Sequence, residues 1–209
     1  MNYLVTGTDT GVGKTFVTSG LVRFARSKGL DFVGMKPICT GDNDDVRQLL
    51  GACGFCEPEH LINPVWFRTP VAPYAASVIE DRLIDVSAIC EAFEELATRH
   101  SIVLVEGAGG IAVPILADYD FRDLAREISL HVIVVAANCL GVLNHTRLTV
   151  EAIRSAGLEC SLIALNSVKR QPDLAQATNL RVMESLVDVP IAAVEHNQRE
   201  FEDLVGRLW

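Results

Sequence analysis

Short apolar runs alternate with segments of helical periodicity along the chain. YLVTG, DFVGMKP, SIVLVEG, HVIVVAAN, CSLIALN and VPIAAV are rich in Val and Ile and mostly apolar at successive positions. A strand covered on both faces has this composition, whereas a strand with one wet face alternates. Between these runs the spacing predicts helices over Lys14–Ser27, Asp44–Ala52, Ser87–Arg99, Phe121–Ile128, Leu143–Ala156, Asp173–Leu186 and Asn197–Leu208. In RSKGL and RSAGL a glycine stands where such a helix must stop. The alternation predicts an α/β three-layer fold, with a mainly parallel central sheet, right-handed crossovers and helices on both faces. The proline-rich stretch EPEHLINPVWFRTPVAPYAAS is read as an irregular excursion over the carboxyl edge of that sheet, where ligands of such folds bind. No repeat or low-complexity tract divides the chain, and one domain over 1–209 is expected.

The first strand leads into LVTGTDTGVGKTF, which places Gly11, Val12, Gly13, Lys14, Thr15 and Phe16 at the start of a helix. Backbone N–H groups that wrap a phosphate need residues tolerant of positive φ, and glycine supplies them. Lys14 adds a charge, Thr15 a hydroxyl for Mg²⁺, and the helix N-terminus its partial positive end. In the usual pattern, G-x-x-x-x-G-K-[ST], the first glycine would fall at Thr8; here it is Gly7. The strand–loop–helix setting is that of a phosphate loop and makes the expected fold P-loop NTPase-like.

Three further patterns bear on how a nucleotide would be used. In GMKPICTG the second strand runs into Lys36 and Pro37, and the proline biases Lys36 toward extended backbone at the sheet edge. The chain has four lysines against fourteen arginines, so two lysines at neighbouring strand ends suggest a need for compact charges. IVLVEGAGG aims Glu106 at the same edge, followed by Gly107, Ala108 and Gly109, with room for a phosphate or substrate. GDNDDVRQL puts acids before a helix, where they serve as caps or reach a metal; Asp44 and Asp45 both qualify.

Composition narrows the partners. A net charge of −9 provides no basic stripe for nucleic acid or an anionic membrane, and the apolar runs are too short to span one. The opening residues lack the basic segment and cleavage pattern of a secretory leader, so a cytoplasmic location is expected. CGFC at Cys53 to Cys56 has redox spacing, but neither a second ligand pair nor a thioredoxin-like strand precedes it. Free thiols in a reduced compartment are expected.

Together VTGTDTGVGKT, KPICTG, LVEGAGG and LGVLNHTRLTVEAIRSAGL resemble the dethiobiotin synthetase family, from about residue 2 to residue 168. The family loop is one residue longer than the usual one, in keeping with the early Gly7. The resemblance implies a homodimer that closes a ureido ring from 7,8-diaminononanoate, CO2 or bicarbonate, and MgATP. It implies Thr15, Asp45 and Glu106 as the magnesium and phosphate set, Lys14 on the phosphates and Lys36 as the active-site lysine. Thr10 and Thr40 would contact the substrate carbamate. Asn166, with Ser167, Val194 and Glu195, would lie at the nucleotide base. Leu140, Gly141, Val142 and Asn144 would open a helix that binds the substrate carboxylate across the dimer interface, although Asn144 as a simple cap gives the same sequence signal. Some members carry an acid at the position of Gly11, and VPIAAVEHN lacks the Gly and Pro that some place near the base. A nucleotide-dependent switch ATPase of the partition or nitrogenase-reductase type is the alternative. Such proteins usually carry a lysine early in the loop, where this chain has Thr8 and Asp9.

Overall fold

The computed structural model describes residues 1–168 and 173–209. The chain opens with β1 (Tyr3–Gly7), α1 (Lys14–Ser27), β2 (Phe32–Met35), β3 (Ile38–Thr40) and α2 (Asp44–Ala52). It continues through α3 (Glu59–Ile62), β4 (Val65–Phe67), α4 (Pro73–Ile79), α5 (Val86–Arg99) and β5 (Ile102–Gly110). Next come β6 (Pro114–Leu116), β7 (Tyr119–Asp120), α6 (Phe121–Glu127), β8 (His131–Ala137) and α7 (Val142–Ser155). The last elements are β9 (Cys160–Asn166), α8 (Leu174–Glu184), β10 (Ile191–Val194) and α9 (Glu202–Leu208).

The six expected strands form one sheet of order β10-β9-β8-β1-β5-β2, and every pairing in it is parallel. All five residues of β1 and all four of β2 are buried, as a sheet covered by helices on both faces requires. β1 lies between β8 and β5, with Val5 opposite Glu106 and Met35 opposite Val105. This register brings the carboxyl ends of β1, β2 and β5 to one edge, so Gly7, Lys36 and Glu106 meet although they are far apart in sequence. Phe32, Phe67, Phe121 and Phe201 are among the largest fully buried side chains, each worth about 1.5–3 kcal/mol relative to exposure.

Three expectations are corrected. The proline-rich excursion contains α3, β4 and α4, and β4 pairs in parallel with β3 as a small second sheet. Pro73 does not interrupt α4; it sits in the first turn, where a missing N–H costs nothing. The last helix starts at Glu202, not Asn197: residues 195–198 close a turn through Gln198 N–H to Glu195 O, and Asn197 has a left-handed φ of 59°. β5 also outlasts its apolar run and reaches Gly110, across an irregularity where Gly109 takes a left-handed φ of 65° and the register with β1 shifts so that Gly7 pairs with Gly110.

Candidate active site

The phosphate-loop geometry begins where β1 ends. Thr8 N–H donates to Val135 O, which ties the loop entrance to β8. The loop then folds back over Gly7: a Cβ there would lie 2.6 Å from Asp9 O and 2.9 Å from Lys14 Nζ. The glycine that falls one residue early therefore serves close packing under the lysine. Gly13, with φ 92°, caps α1 and leaves the helix N–H groups without a side-chain partner. A Cβ on Gly13 would come within 2.2 Å of Asn166 Nδ2, which donates to Val12 O at 2.9 Å. Asn166 thus braces the loop from β9. Lys14 Nζ donates to Asp9 O, and burial, followed by the Lys36 charge, pushes its ammonium down to about 8.

Below the loop lies a cluster of opposite charges. Lys36 is 4% exposed and Glu106 is fully buried. Lys36 Nζ donates to Glu106 Oε1 at 2.6 Å and to Asp45 Oδ2 at 2.7 Å. Burial acts to lower the Lys36 pKa, but the two carboxylates outweigh it and hold the ammonium above its ordinary value. Burial would likewise raise the Asp45 carboxyl, yet the Lys36 charge and hydrogen bonds from Lys36 and Thr15 hold it below the usual range. The Thr15 hydroxyl is 2.8 Å from both Asp45 Oδ1 and Glu106 Oε1. It carries one proton and donates to one oxygen at a time, so the other close oxygen pair calls for a cation. Glu106 Oε2 is buried without a hydrogen-bond partner among the described residues. Two carboxylates and a hydroxyl with one orphaned oxygen suit a hard cation that takes oxygen ligands. No three His, Cys, Asp or Glu side chains converge among the described residues, so this set would be completed by phosphate and water.

The choice between two neighbouring acids is made by helix phase. Asp45 turns inward to Thr15 and Lys36, whereas Asp44 is exposed and pairs with Arg47. Around the cluster opens a cavity of about 580 Å³ lined by Thr10, Gly11, Gly13, Lys14, Thr15, Lys36, Thr40, Asp45, Ala108 and Gly109. Its apolar wall comes from Ile38, Val71 and Val113, with Cys39, Pro70, Ala72 and Pro73 beside them. Sequence reasoning placed the proline-rich stretch over this edge but did not single out these wall residues; the signal lies in PIC and TPVAP, which resemble any proline-bearing loop until β3 pairs with β4.

Other expected residues fall outside the cavity. Val12 and Gly107 lie in the loop and strand behind it, and Phe16 turns toward Phe201, with ring centroids 6.0 Å apart. Asn166, Ser167, Val194 and Glu195 meet at the carboxyl ends of β9 and β10, where Ser167 N–H donates to Val194 O. Leu140, Gly141, Val142 and Asn144 open α7 away from the cavity lining; Leu140 is 86% exposed, and α7 has no side-chain cap from Asn144 or any other residue. The turn before α7 is held from below by Asn179, which donates to Asn138 Oδ1 and Cys139 O.

A parallel sheet with a glycine-rich loop leading into Lys14-Thr15 at its first strand defines a P-loop α/β protein of the nucleoside-triphosphatase type. The fold is similar to that of the signal recognition particle receptor FtsY from Elizabethkingia anophelis, with TM-score 0.58 and 15% identity over 91% of this chain and 56% of that one. It is also similar to the cell division protein MinD of Aquifex aeolicus, with TM-score 0.55 and 12% identity over 99% and 86% of the two chains. Residues 1–200 match a family described as an AAA domain. The chain is 39% identical over 207 residues to the ATP-dependent dethiobiotin synthetase BioD of Akkermansia muciniphila, covering 97% of this chain and 95% of that protein. It is 46% identical over 173 residues to the protein of the same name from Anaeromyxobacter sp. (strain Fw109-5), covering 81% and 78%. The chain belongs to the dethiobiotin synthetase family.

Proposed function

We propose that this protein is a cytoplasmic, homodimeric ATP-dependent ligase that closes the ureido ring of dethiobiotin from 7,8-diaminononanoate and CO2. The observation that carries the reading is the Lys36–Glu106–Asp45–Thr15 cluster, set under a phosphate loop and opening onto a cavity with an apolar wall. One amine of the substrate takes up CO2 and loses a proton, giving a carbamate. A carbamate oxygen attacks the γ-phosphorus of ATP, the bond to the β-phosphate oxygen breaks, and ADP leaves. The second amine then attacks the carbonyl carbon of the carbamic-phosphoric anhydride. Inorganic phosphate departs with the C–O bond electrons, the amine loses its proton, and the ring is closed.

Each step asks the protein for positioning and charge neutralisation and needs no covalent nucleophile. Lys14 and the free N–H groups of α1 hold the phosphates, and Lys36 balances charge on the transferred group. Thr10 and Thr40 orient the carbamate, and the apolar wall takes the methylene chain. Thr15, Asp45 and Glu106 would hold Mg²⁺, which neutralises phosphate charge when bound. The N-terminus of α7 from a second copy would receive the substrate carboxylate, and the ends of β9 and β10 the base.

The test is phosphate release from MgATP with bicarbonate, with and without 7,8-diaminononanoate, followed by mass analysis of the organic product. Release that depends on the diamine and yields the cyclic urea is expected. Release at the same rate without it would point to a nucleotide-dependent switch.

A further inference from the structure

Lys36 stands where the chain leaves the main sheet, and its own backbone cannot secure it there. β2 ends at Met35, and Pro37 has no N–H to extend a ladder. The Lys36 peptide is instead held by the last residue of α3 and the residue that follows it. Lys36 N–H donates to Ile62 O at 2.7 Å, and Lys36 O accepts from Asn63 Nδ2 at 2.7 Å. The second Asn63 Nδ2 proton goes to Val65 O at 2.9 Å, at the point where β4 begins to pair with β3. One side-chain amide therefore joins the backbone of Lys36 to the strand that supports the cavity wall.

This matters because a lysine side chain has several rotatable bonds, and its head is useful only where it reaches Glu106 and Asp45 together. Fixing the Cα as well as the ammonium removes the freedom that would let the charge drift from the phosphate path. We propose that Asn63 is a positioning residue for Lys36. It acts through the lysine backbone and does not touch substrate. The proposal rests on the reading of Lys36 as the residue that balances charge on the transferred phosphoryl group.

Two measurements on Asn63→Ala test it. The first is the split between kcat and KM: kcat falls at least tenfold, whereas KM for MgATP stays within twofold. The second is the Nζ resonance of Lys36 in protein labelled with ¹⁵N at lysine, assigned by its loss in Lys36→Met; four lysines in the chain keep that spectrum simple. The resonance is sharp in the unsubstituted protein and broadens at least twofold through faster solvent exchange in Asn63→Ala. Asn63→Ser, which keeps one shorter donor, falls between the two in both readouts and carries the test if the alanine variant does not fold. A folded Asn63 variant with unchanged kcat would overturn the proposal, as would a fall in kcat with an unchanged Lys36 resonance. Wild-type turnover in Lys36→Met would instead overturn the reading of Lys36 itself, whatever Asn63 does.

Discussion

Lys36 Nζ and Glu106 Oε1 lie 2.6 Å apart across 70 residues of sequence, and both side chains are buried. Only one of the pair, the ammonium, can also serve an anionic transition state. Lys36→Ala is expected to lower turnover by about 10²–10³-fold, the scale of losing one preorganised charge or donor, with nucleotide affinity changed less than threefold. Steady-state kinetics beside equilibrium nucleotide binding checks this; equal losses in both would contradict a transition-state role. The same substitution leaves Glu106 without its charge partner, and a cost of about 3 kcal/mol in denaturant unfolding is expected.

Glu106 has one buried oxygen with no partner and one shared with Thr15 and Lys36. Glu106→Ala should therefore move the magnesium dependence of turnover to at least tenfold higher concentration, with the rate at saturating metal also reduced. A metal titration of unchanged midpoint would remove Glu106 from the site.

The Lys14 ammonium, pushed down to about 8 from an ordinary 10.5, links nucleotide binding to protons. Between those two values the unfolded chain binds more protons at this position than the folded one, so its contribution to stability rises with pH. The cost of keeping it charged is present in full below about pH 8 and relieved by about 10.5. Phosphates at the loop favour the charged form and should drive proton uptake. Calorimetry of ATP binding at pH 8, in two buffers of different ionisation enthalpy, should show about half a proton taken up, and no uptake near pH 6. Buffer-independent heats at pH 8 would refute the link.

Gly20 faces Phe201 across the packing of α1 against the C-terminal segment. A Cβ there would lie 2.4 Å from the ring, and Phe201 is fully buried. Gly20→Ala is expected to destabilise the protein by about 1–3 kcal/mol, against the gain in helix propensity that alanine would bring elsewhere. Lys14 and Thr15 lie about one and a half turns before Gly20 on the same helix, and residual turnover at low temperature should stay near normal. A raised melting temperature would show that the ring moves aside freely.

Much of this protein follows from local pattern. Six Val- and Ile-rich runs determined the strands of the main sheet, since a strand buried on both faces admits little else, and the spacing of glycines before Lys14 and Thr15 determined a phosphate loop. Lys36 and Glu106 were readable because each ends an apolar run, which in a parallel sheet places it at the ligand edge. Between Asp44 and Asp45 the residues alone leave the choice open and only the resemblance points to Asp45; the two open the same helix, and its packing against α1 and β2 turns the Asp45 carboxylate inward to Thr15 and Lys36. The wall residues Ile38 and Val71 and the hold of Asn63 on Lys36 were not readable, because they depend on β4 returning to pair with β3, and Val113 joins that wall from the turn after β5. Local sequence determines periodicity and turn chemistry, since these act over a few residues. Only tertiary structure decides which distant side chains share one low-dielectric pocket, because that depends on strand order and register.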